Sequence, residues 1–557
     1  MQIIIPMSGL GERFVAAGYS VPKPLIEVDG MPIIQHVVNL FPGSTNVKFI
    51  CNDKHLRDND KETIGMRDIL ARICPTGTIY EVPVEGREGP VHAVSLIFDE
   101  IDDEKEVIIS YCDYGTDWDY VEFLKDTRSR GADGAGADGA VVCYKGFHPH
   151  MLGTDNYAFL KETADDSRIM SAIQEKQPFT DDRMNEYASN GTYYFKSGAI
   201  MKKYFRKLMS MGLKVKNEYY VSMVYNLLIE DGLRVNIFEI QHMLQWGTPY
   251  DLEVYNDWSR YFRNIIQKQD EGGHTRGNND NTTLVLPMAG AGSRFSKKGY
   301  QVPKPLIDVN GKPMVVQAVN CLPETKDKIF ICLEEHLHLI GKYNIGSELE
   351  QAFPGCQIKT VKEVTQGQAC TTELGLCDDI GVDLEKPILI SACDNGVYYD
   401  KAKYQKLLAD ETIDIIVWTF RNNPTSKNNP DMYAWLETDE QDYVRKVSCK
   451  KFLPGVHDLK KSHVIIGTMF FKKAAYFMEG LAANYAANIR SNGEFYVDDV
   501  INQNISRGLR VKVFEVENYI CWGTPDDYET YCYWRRFFNK CDWHPYSIEK
   551  DITSVTI

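Results

Sequence analysis

Two short segments carry the residue types that handle polyphosphates. Gly9-Leu10-Gly11-Glu12-Arg13 precedes Pro22-Lys23-Pro24, and Gly290-Ala291-Gly292-Ser293-Arg294 precedes Pro303-Lys304-Pro305 at the same spacing. Glycines let a backbone approach phosphate closely with its amide N–H groups turned inward. Arginine adds a planar, permanently charged fork for phosphate oxygens. A lysine between two prolines is held in one direction, because proline fixes φ and restricts its neighbour. A carboxylate ends an apolar run in each half, Asp113 after Val107–Tyr111 and Asp394 after Ile388–Ala392. That placement suits Mg2+, which takes one or two carboxylates together with phosphate oxygens. Taken singly, these features read equally as a tight turn, a solvated lysine and a turn aspartate. Their joint recurrence is what points to phosphate chemistry.

The recurrence is a duplication. Arg13 and Lys23 repeat as Arg294 and Lys304, 281 residues later, and the same step carries Phe49-Ile50-Cys51 onto Phe330-Ile331-Cys332 and Cys112-Asp113 onto Cys393-Asp394. At a slightly smaller step Asn190-Gly191-Thr192 falls on Ile466-Gly467-Thr468, Glu218-Tyr219-Tyr220 on Glu494-Phe495-Tyr496, and Trp246-Gly247-Thr248-Pro249 on Trp522-Gly523-Thr524-Pro525. So many matches in one order identify two copies of one domain.

The elements that must position these groups follow from the apolar runs. Strands are expected at Ile3–Pro6, Val47–Cys51, Ile79–Val82, Val107–Tyr111 and Ala140–Tyr144. In the second copy they are expected at Leu284–Leu286, Ile329–Cys332, Ile358–Val361, Ile388–Ala392 and Ile415–Thr419. Amphipathic stretches such as Met31–Leu40 and Lys312–Leu322 separate them. Alternation of this kind predicts an α/β fold, with a mixed, mostly parallel sheet covered on both faces and ligands at the carboxyl ends of the strands. The expected organisation is a first domain over 1–265, a polar Gly/Asn-rich linker over 266–281, a second domain over 282–540 and a tail over 541–557. The low-complexity insert Gly131–Ala140 has no second-copy counterpart and is expected to be a surface loop.

Composition bounds the partners. The chain has 557 residues and a net charge of −16, a poor balance for wrapping nucleic acid. No apolar stretch approaches the roughly 20 residues needed to span a bilayer. The opening Met1–Pro6 reads as a strand rather than a signal peptide. The 14 cysteines form no CxxC pair, which suits reduced thiols in a cytoplasmic protein. The aromatic run Tyr531–Phe538 suits an interface helix or a packing helix equally, so a homo-oligomer stays open.

The order Gly-x-Gly-x-Arg, Pro-Lys-Pro-Leu, strand-Asp and Gly-Thr resembles the sugar-1-phosphate nucleotidyltransferases, also called nucleotide-sugar pyrophosphorylases. Choline-phosphate-type cytidylyltransferases are relatives. The resemblance covers nearly all of both copies. It implies two tandem three-layer α/β/α, Rossmann-like domains of the A-type glycosyltransferase kind. It also implies Mg2+, an NTP, a small phosphorylated acceptor and release of pyrophosphate. The Gly-Tyr-x-Val-Pro-Lys-Pro variant resembles members found in surface-polysaccharide gene sets. Carried over by position, Gly9, Leu10, Gly11 and Arg13, and Gly290, Ala291, Gly292 and Arg294, would hold the triphosphate. Lys23 and Lys304 would contact phosphate in the transition state, and Asp113 and Asp394 would hold the metal. Gly89, Gln366 and Gly367 resemble the base-recognition loop. Glu175, Lys176, Gly191 and Glu218 resemble acceptor-pocket residues, with Lys451, Gly467 and Glu494 as their second-copy equivalents.

Departures from the family pattern are also visible. Lys450-Lys451 is expected opposite Glu175-Lys176, so the second copy would lose the carboxylate that reads acceptor hydroxyls. Gln245 and Cys521 stand where many members place a second metal-binding aspartate, and Asp251 and Asp527 read as helix N-caps. Ser222-Met223 faces Asp498-Asp499, so the two acceptor pockets should differ. Two other readings stand beside this one: one copy catalytic and the other a nucleotide-sensing or assembly domain, and a glycosyltransferase using a ready-made nucleotide sugar. Against the second, neither Asp113-Tyr114-Gly115 nor Asp394-Asn395-Gly396 gives the usual Asp-x-Asp motif.

Overall fold

Side chains along the first strand sort alternately into two cores. Ile3 and Ile5 pack with Ile34, Val37, Leu70 and Phe123, whereas Ile4 packs with Val91, Val94, Phe205 and Val224. Alternation on a pleated strand sends successive side chains to opposite faces. The helices bearing those partners, Ile33–Asn39, Met66–Ile73 and Tyr120–Ser129 on one side and Pro90–Ser95, Gly198–Ser210 and Val221–Glu230 on the other, therefore cover both faces of the sheet. The result is a three-layer α/β/α unit. The protein was examined as a computed structural model, which describes residues 1–57, 65–130, 136–164, 167–270, 278–338, 344–377 and 381–551.

The first sheet has nine strands: β1 (Gln2–Met7), β2 (Val47–Asn52), β3 (Thr78–Val82), β4 (Val107–Ser110), β5 (Gly139–Tyr144), β6 (Ala158–Glu162), β7 (Met170–Glu175), β8 (Tyr187–Phe195) and β9 (Val235–Ile240). Its order is β7-β6-β8-β4-β1-β2-β3, with β5 pairing both β8 and β9. The strands around the glycine-rich loop, β4, β1, β2 and β3, are parallel, while β8 runs antiparallel to β4, β5 and β6. The sheet is thus mixed, and β8 brings Asn190 and Gly191 alongside the carboxyl end of β4.

The second sheet repeats this plan with β10 (Asn278–Pro287), β11 (Glu324–Leu333), β12 (Gln357–Val361), β13 (Ile388–Ile390), β14 (Ile415–Phe420), β15 (Trp435–Thr438), β16 (Val444–Ser448), β17 (Val464–Phe471) and β18 (Val511–Glu515). Its order is β12-β11-β10-β13-β17-β14-β18, with β15 joining β16 and β17. Leu284 and Leu286 face one core and Val285 the other.

The chain divides into two units, Met1–Arg260 with Arg536–Pro545, and Tyr261–Arg535 with Tyr546–Ile557. The divisions fall within helices Pro249–Asp270 and Pro525–Lys540. Of the expected linker, residues 266–270 continue the first of these helices and residues 278–281 begin β10, while 271–277 lie outside the described residues. Residues 131–135 of the low-complexity insert are also outside them, and Gly139-Ala140 already belong to β5. The stretches Met31–Leu40 and Lys312–Leu322 each open with a two-residue strand, Met31–Pro32 and Lys312–Pro313, before the helix starts. In the aromatic run, Phe537 and Phe538 pack on Tyr255 in the first unit, and Tyr531 packs on Phe262 and Trp522 in the second.

Candidate active site

Each unit has one cavity at the carboxyl ends of its central strands, about 540 Å³ in the first and about 480 Å³ in the second. In the first, the loop after β1 turns at Gly11, whose φ of 67° lies in the left-handed region and which caps helix Glu12–Ala16. Gly292 does the same at φ 57°. Glycine reaches this region without strain, where other residues do not. A Cβ on Gly11 would lie 3.4 Å from Lys23 Cβ, so the loop and the Pro-Lys-Pro segment close on one another. Gly9, Leu10, Gly11, Arg13 and Lys23 line the first cavity, and Gly290, Ala291, Gly292, Arg294 and Lys304 line the second.

Lys23 Nζ lies 2.7 Å from Asp113 Oδ2, and Lys304 Nζ pairs likewise with Asp394. Burial works against the charged lysines, but the aspartates outweigh it and hold both ammonium groups above their ordinary values. Burial pushes Asp394 upward too, and Lys304 overcomes it, so the carboxyl ends below its usual value. The Trp-Gly-Thr-Pro motif closes over this pair. Trp246 N–H donates to Asp113 O at 3.1 Å, and a Cβ on Gly247 would stand 3.0 Å from Asp113 Oδ2. Trp522 and Gly523 do the same at Asp394. The glycine is there because the carboxylate is. Asp251 and Asp527 are not the N-cap residues themselves. Thr248 and Thr524 cap the helices, each hydroxyl accepting from the backbone N–H of the aspartate and donating to its carboxylate.

Gly89 joins the nucleotide side to the acceptor side. Its φ is 94°, and a Cβ there would come within 2.9 Å of Glu218 Cβ and the Tyr219 backbone. Tyr219 N–H donates to Glu88 O, and Val91 N–H to Tyr219 O. Gly367, at φ 137°, makes the same approach to Phe495, whose N–H donates to Gln366 O. The Gln366 side chain does not enter the cavity. Its Oε1 accepts from Arg490 at 2.6 Å, and Thr365 and Gln368 line the wall instead.

At the acceptor end of the first cavity, Glu175 Oε2 accepts from Ser222 Oγ at 2.6 Å and Glu175 Oε1 lies 4.0 Å from Lys176 Nζ. Burial raises the Glu175 carboxyl and lowers the Lys176 ammonium, and each partner opposes the shift of the other. Lys176 Nζ also donates to Tyr220 OH, which donates to Glu218 Oε2. Gly191 sits against Tyr111, as Gly467 sits against Ala392.

Lys451 is not the counterpart of Lys176. Lys450 is: both have φ in the left-handed region, 51° and 57°, both lie over a tyrosine ring, and Lys450 lines the second cavity where Lys451 does not. Cys449 therefore stands opposite Glu175. The sequence assigns no role to Arg87, Tyr111 or Asn190, which line the first cavity, and marks Asp498, which lines the second, only as facing Ser222. The positions next to conserved spacings, compared between copies, were the available signal for all but Arg87.

Among the described residues no cluster of three or more His, Cys, Asp or Glu is grouped to hold a metal. A single carboxylate beside the Pro-Lys-Pro lysine of each cavity, Asp113 or Asp394, fits a cation that completes its shell with phosphate oxygens and water, as Mg2+ does. The nearby thiols are not nucleophiles, since burial pushes Cys112 and Cys393 up to about 12.

Residues 2–224 match the family model described as nucleotidyl transferase. The matched residues lie within the first unit. No curated protein matches the chain. Solved structures similar to it include a nucleoside-diphosphate-sugar pyrophosphorylase from Vibrio cholerae RC9, at 21% identity and TM-score 0.36, covering 46% of this chain and 99% of that one. Another is the inositol-1-phosphate CTP transferase from T. maritima, at 14% identity and TM-score 0.35, covering 46% of this chain and 98% of that one. The two units share strand order, glycine-rich loop, Lys–Asp pair and closing Trp-Gly-Thr-Pro motif. No helix among the described residues is long and apolar enough to cross a membrane.

Proposed function

We propose that each unit transfers a nucleoside monophosphate from an NTP to a small phosphorylated acceptor, a sugar phosphate in the first unit, and releases pyrophosphate. The observation that carries this is one cavity in which the glycine-rich loop, Arg13 and the Lys23–Asp113 pair stand at one end and Glu175, Lys176 and Glu218 at the other. The loop amides and Arg13 bind the triphosphate. Lys176 holds the acceptor phosphate so that its oxygen faces the α-phosphorus in line with the departing pyrophosphate. Lys23 neutralises charge that grows on the phosphoryl oxygens, and positioning with charge stabilisation supplies the catalysis. Mg2+ bound at Asp113 or Asp394 would add charge neutralisation and orient the phosphates. Nucleotide sugars made this way would serve as activated precursors of surface polysaccharide, in line with the Gly-Tyr-x-Val-Pro-Lys-Pro variant, and the free thiols suit a cytoplasmic setting.

The test is pyrophosphate release from each NTP with Mg2+ and a panel of phosphorylated acceptors, using wild type, Arg13→Ala and Arg294→Ala. Loss of a different activity in each variant supports two transferases. Loss in one variant only makes the other unit a sensing or assembly domain. Transfer of a sugar from a nucleotide sugar, without pyrophosphate, overturns the proposal in favour of a glycosyltransferase.

A further inference from the structure

Four polar positions beside the first cavity are apolar at the matching places of the second, although Met243 of the first is Tyr519 in the second. On β8, Ser189 pairs with Cys143 and Tyr193 with Ile109; on β17, Ile465 pairs with Thr419 and Met469 with Ile390. That register sets Ser189 against Ile465, Asn190 against Ile466 and Tyr193 against Met469. The glycine contacts set Tyr111 against Ala392. Asn190 is 3% exposed, lines the first cavity, and its Nδ2 has no hydrogen-bond partner among the described residues. A buried amide left with a free donor is a group waiting for a ligand acceptor. The second cavity has replaced hydroxyl and amide groups by aliphatic ones.

The carboxylate at this end has changed elements. In the first cavity it is Glu175, at the end of β7, supported by Ser222 on helix Val221–Glu230. In the second, Cys449 occupies the strand-end position and the carboxylate is Asp498, on helix Val497–Ser506, with Cys449 Sγ donating to it at 3.8 Å. Asp498 lines the cavity beside Lys450, whose Nζ donates to Met432 O.

Resting on the function proposed above, we propose that the second cavity selects a phosphorylated acceptor whose body is apolar around a single hydrogen-bond donor, and that Asp498 is the specificity-determining residue that reads this donor. A hydroxyl-rich ring would bury hydroxyls against Ala392, Ile465 and Ile466 with nothing to bond to, which costs about 1–3 kcal/mol for each unmet group. The first cavity, with Asn190, Ser189 and Tyr111 in place, takes that ring instead. The stronger discrimination is that of the first cavity, whose polar groups a hydroxyl-poor acceptor would leave unmet.

The test uses the full chain with Lys23→Ala to silence the first unit, or Lys304→Ala to silence the second. Pyrophosphate release is followed with glucose 1-phosphate, a dideoxyhexose 1-phosphate and 2-aminoethyl phosphate. The second unit should favour the hydroxyl-poor acceptors over glucose 1-phosphate by about tenfold or more relative to the first unit. Turnover of the dideoxy sugar places a hydroxyl on Asp498, and turnover of the aminoethyl compound an ammonium. Asp498→Asn should raise the acceptor KM about tenfold with the NTP KM unchanged, and Ile466→Asn should shift preference toward glucose 1-phosphate. Equal preference in the two units, or an unchanged acceptor KM in Asp498→Asn, overturns this proposal alone. No pyrophosphate from the second unit with any NTP and acceptor overturns the function proposed for that unit and this inference with it.

Discussion

Lys23 Nζ sits 2.7 Å from Asp113 Oδ2 across 90 residues of sequence, so the two groups assigned to phosphate and to metal hold each other in the free protein. Lys23 keeps two further N–H donors, and Asp113 keeps Oδ1, for an NTP with Mg2+. Asp113→Asn is therefore expected to abolish the response of the first unit's rate to added Mg2+. Lys23→Met should lower its kcat/KM about 10²–10³-fold, the range found for groups that stabilise transition-state charge. Initial rates against Mg2+ concentration, with Lys304→Ala as background, check both. A normal Mg2+ titration in Asp113→Asn would reject that carboxylate as the metal site.

Two glycines of the first cavity should respond to alanine in opposite ways. Gly9 has open space where a Cβ would go, whereas Gly89 combines φ 94° with backbone atoms 2.9 Å from that Cβ. Gly89→Ala should lower the thermal midpoint, because strain of order 1–3 kcal/mol has no flexible side chain to absorb it. Gly9→Ala should leave the midpoint unchanged and raise the NTP KM, because its methyl intrudes only on the ligand. Thermal melts and NTP saturation curves separate the two, and a destabilised Gly9→Ala would contradict the loop geometry.

The core of each fold was legible because its strands are short apolar runs flanked by turn residues, and the ten expected strands fall on strands of the two sheets, eight of them inside and β3 and β12 at an edge. The first thirty residues of each copy were legible because proline and glycine fix local conformation wherever they occur. The acceptor end was less so. Lys450 and Lys451 are adjacent and chemically equal, and only the left-handed turn at Lys450 decides which one faces the cavity. Gln366 looked like a base reader because it adjoins Gly367, but Arg490, more than a hundred residues away, takes its side chain. Sequence sets Asp498 opposite Ser222, and only the fold shows that this helix position lies beside the strand end where Glu175 and Cys449 sit.

The cysteines beside the site offer a test of the mechanism. Burial pushes Cys112 and Cys393 up to about 12, so neither is a thiolate near neutrality. Cys112→Ala and Cys393→Ala should retain kcat within about threefold, the loss coming only from packing of a small buried side chain. A drop of several orders of magnitude in either variant, with the fold intact by circular dichroism, would call for a covalent intermediate that direct in-line transfer does not use.

Asp498 makes stability depend on pH in a direction that can be worked out. Burial and the neighbouring Asp499 outweigh Lys450 and raise its carboxyl from 3.8 to about 6. The folded chain thus keeps a proton that the unfolded chain releases, so this group's contribution is full below the unfolded value and is lost as pH rises through about 6. Asp498→Asn cannot titrate and should gain stability relative to wild type across that window. The gain at pH 8 is at most about 3 kcal/mol from a shift of about two units. Solvent in the cavity screens the carboxylate and reduces it further. Thermal midpoints of both proteins at pH 5 and pH 8 measure the difference. A variant that loses ground to wild type between pH 5 and pH 8 would show that Asp498 is better stabilised as an anion than its buried setting implies. Its pairing with Lys450 would then dominate the site even without acceptor.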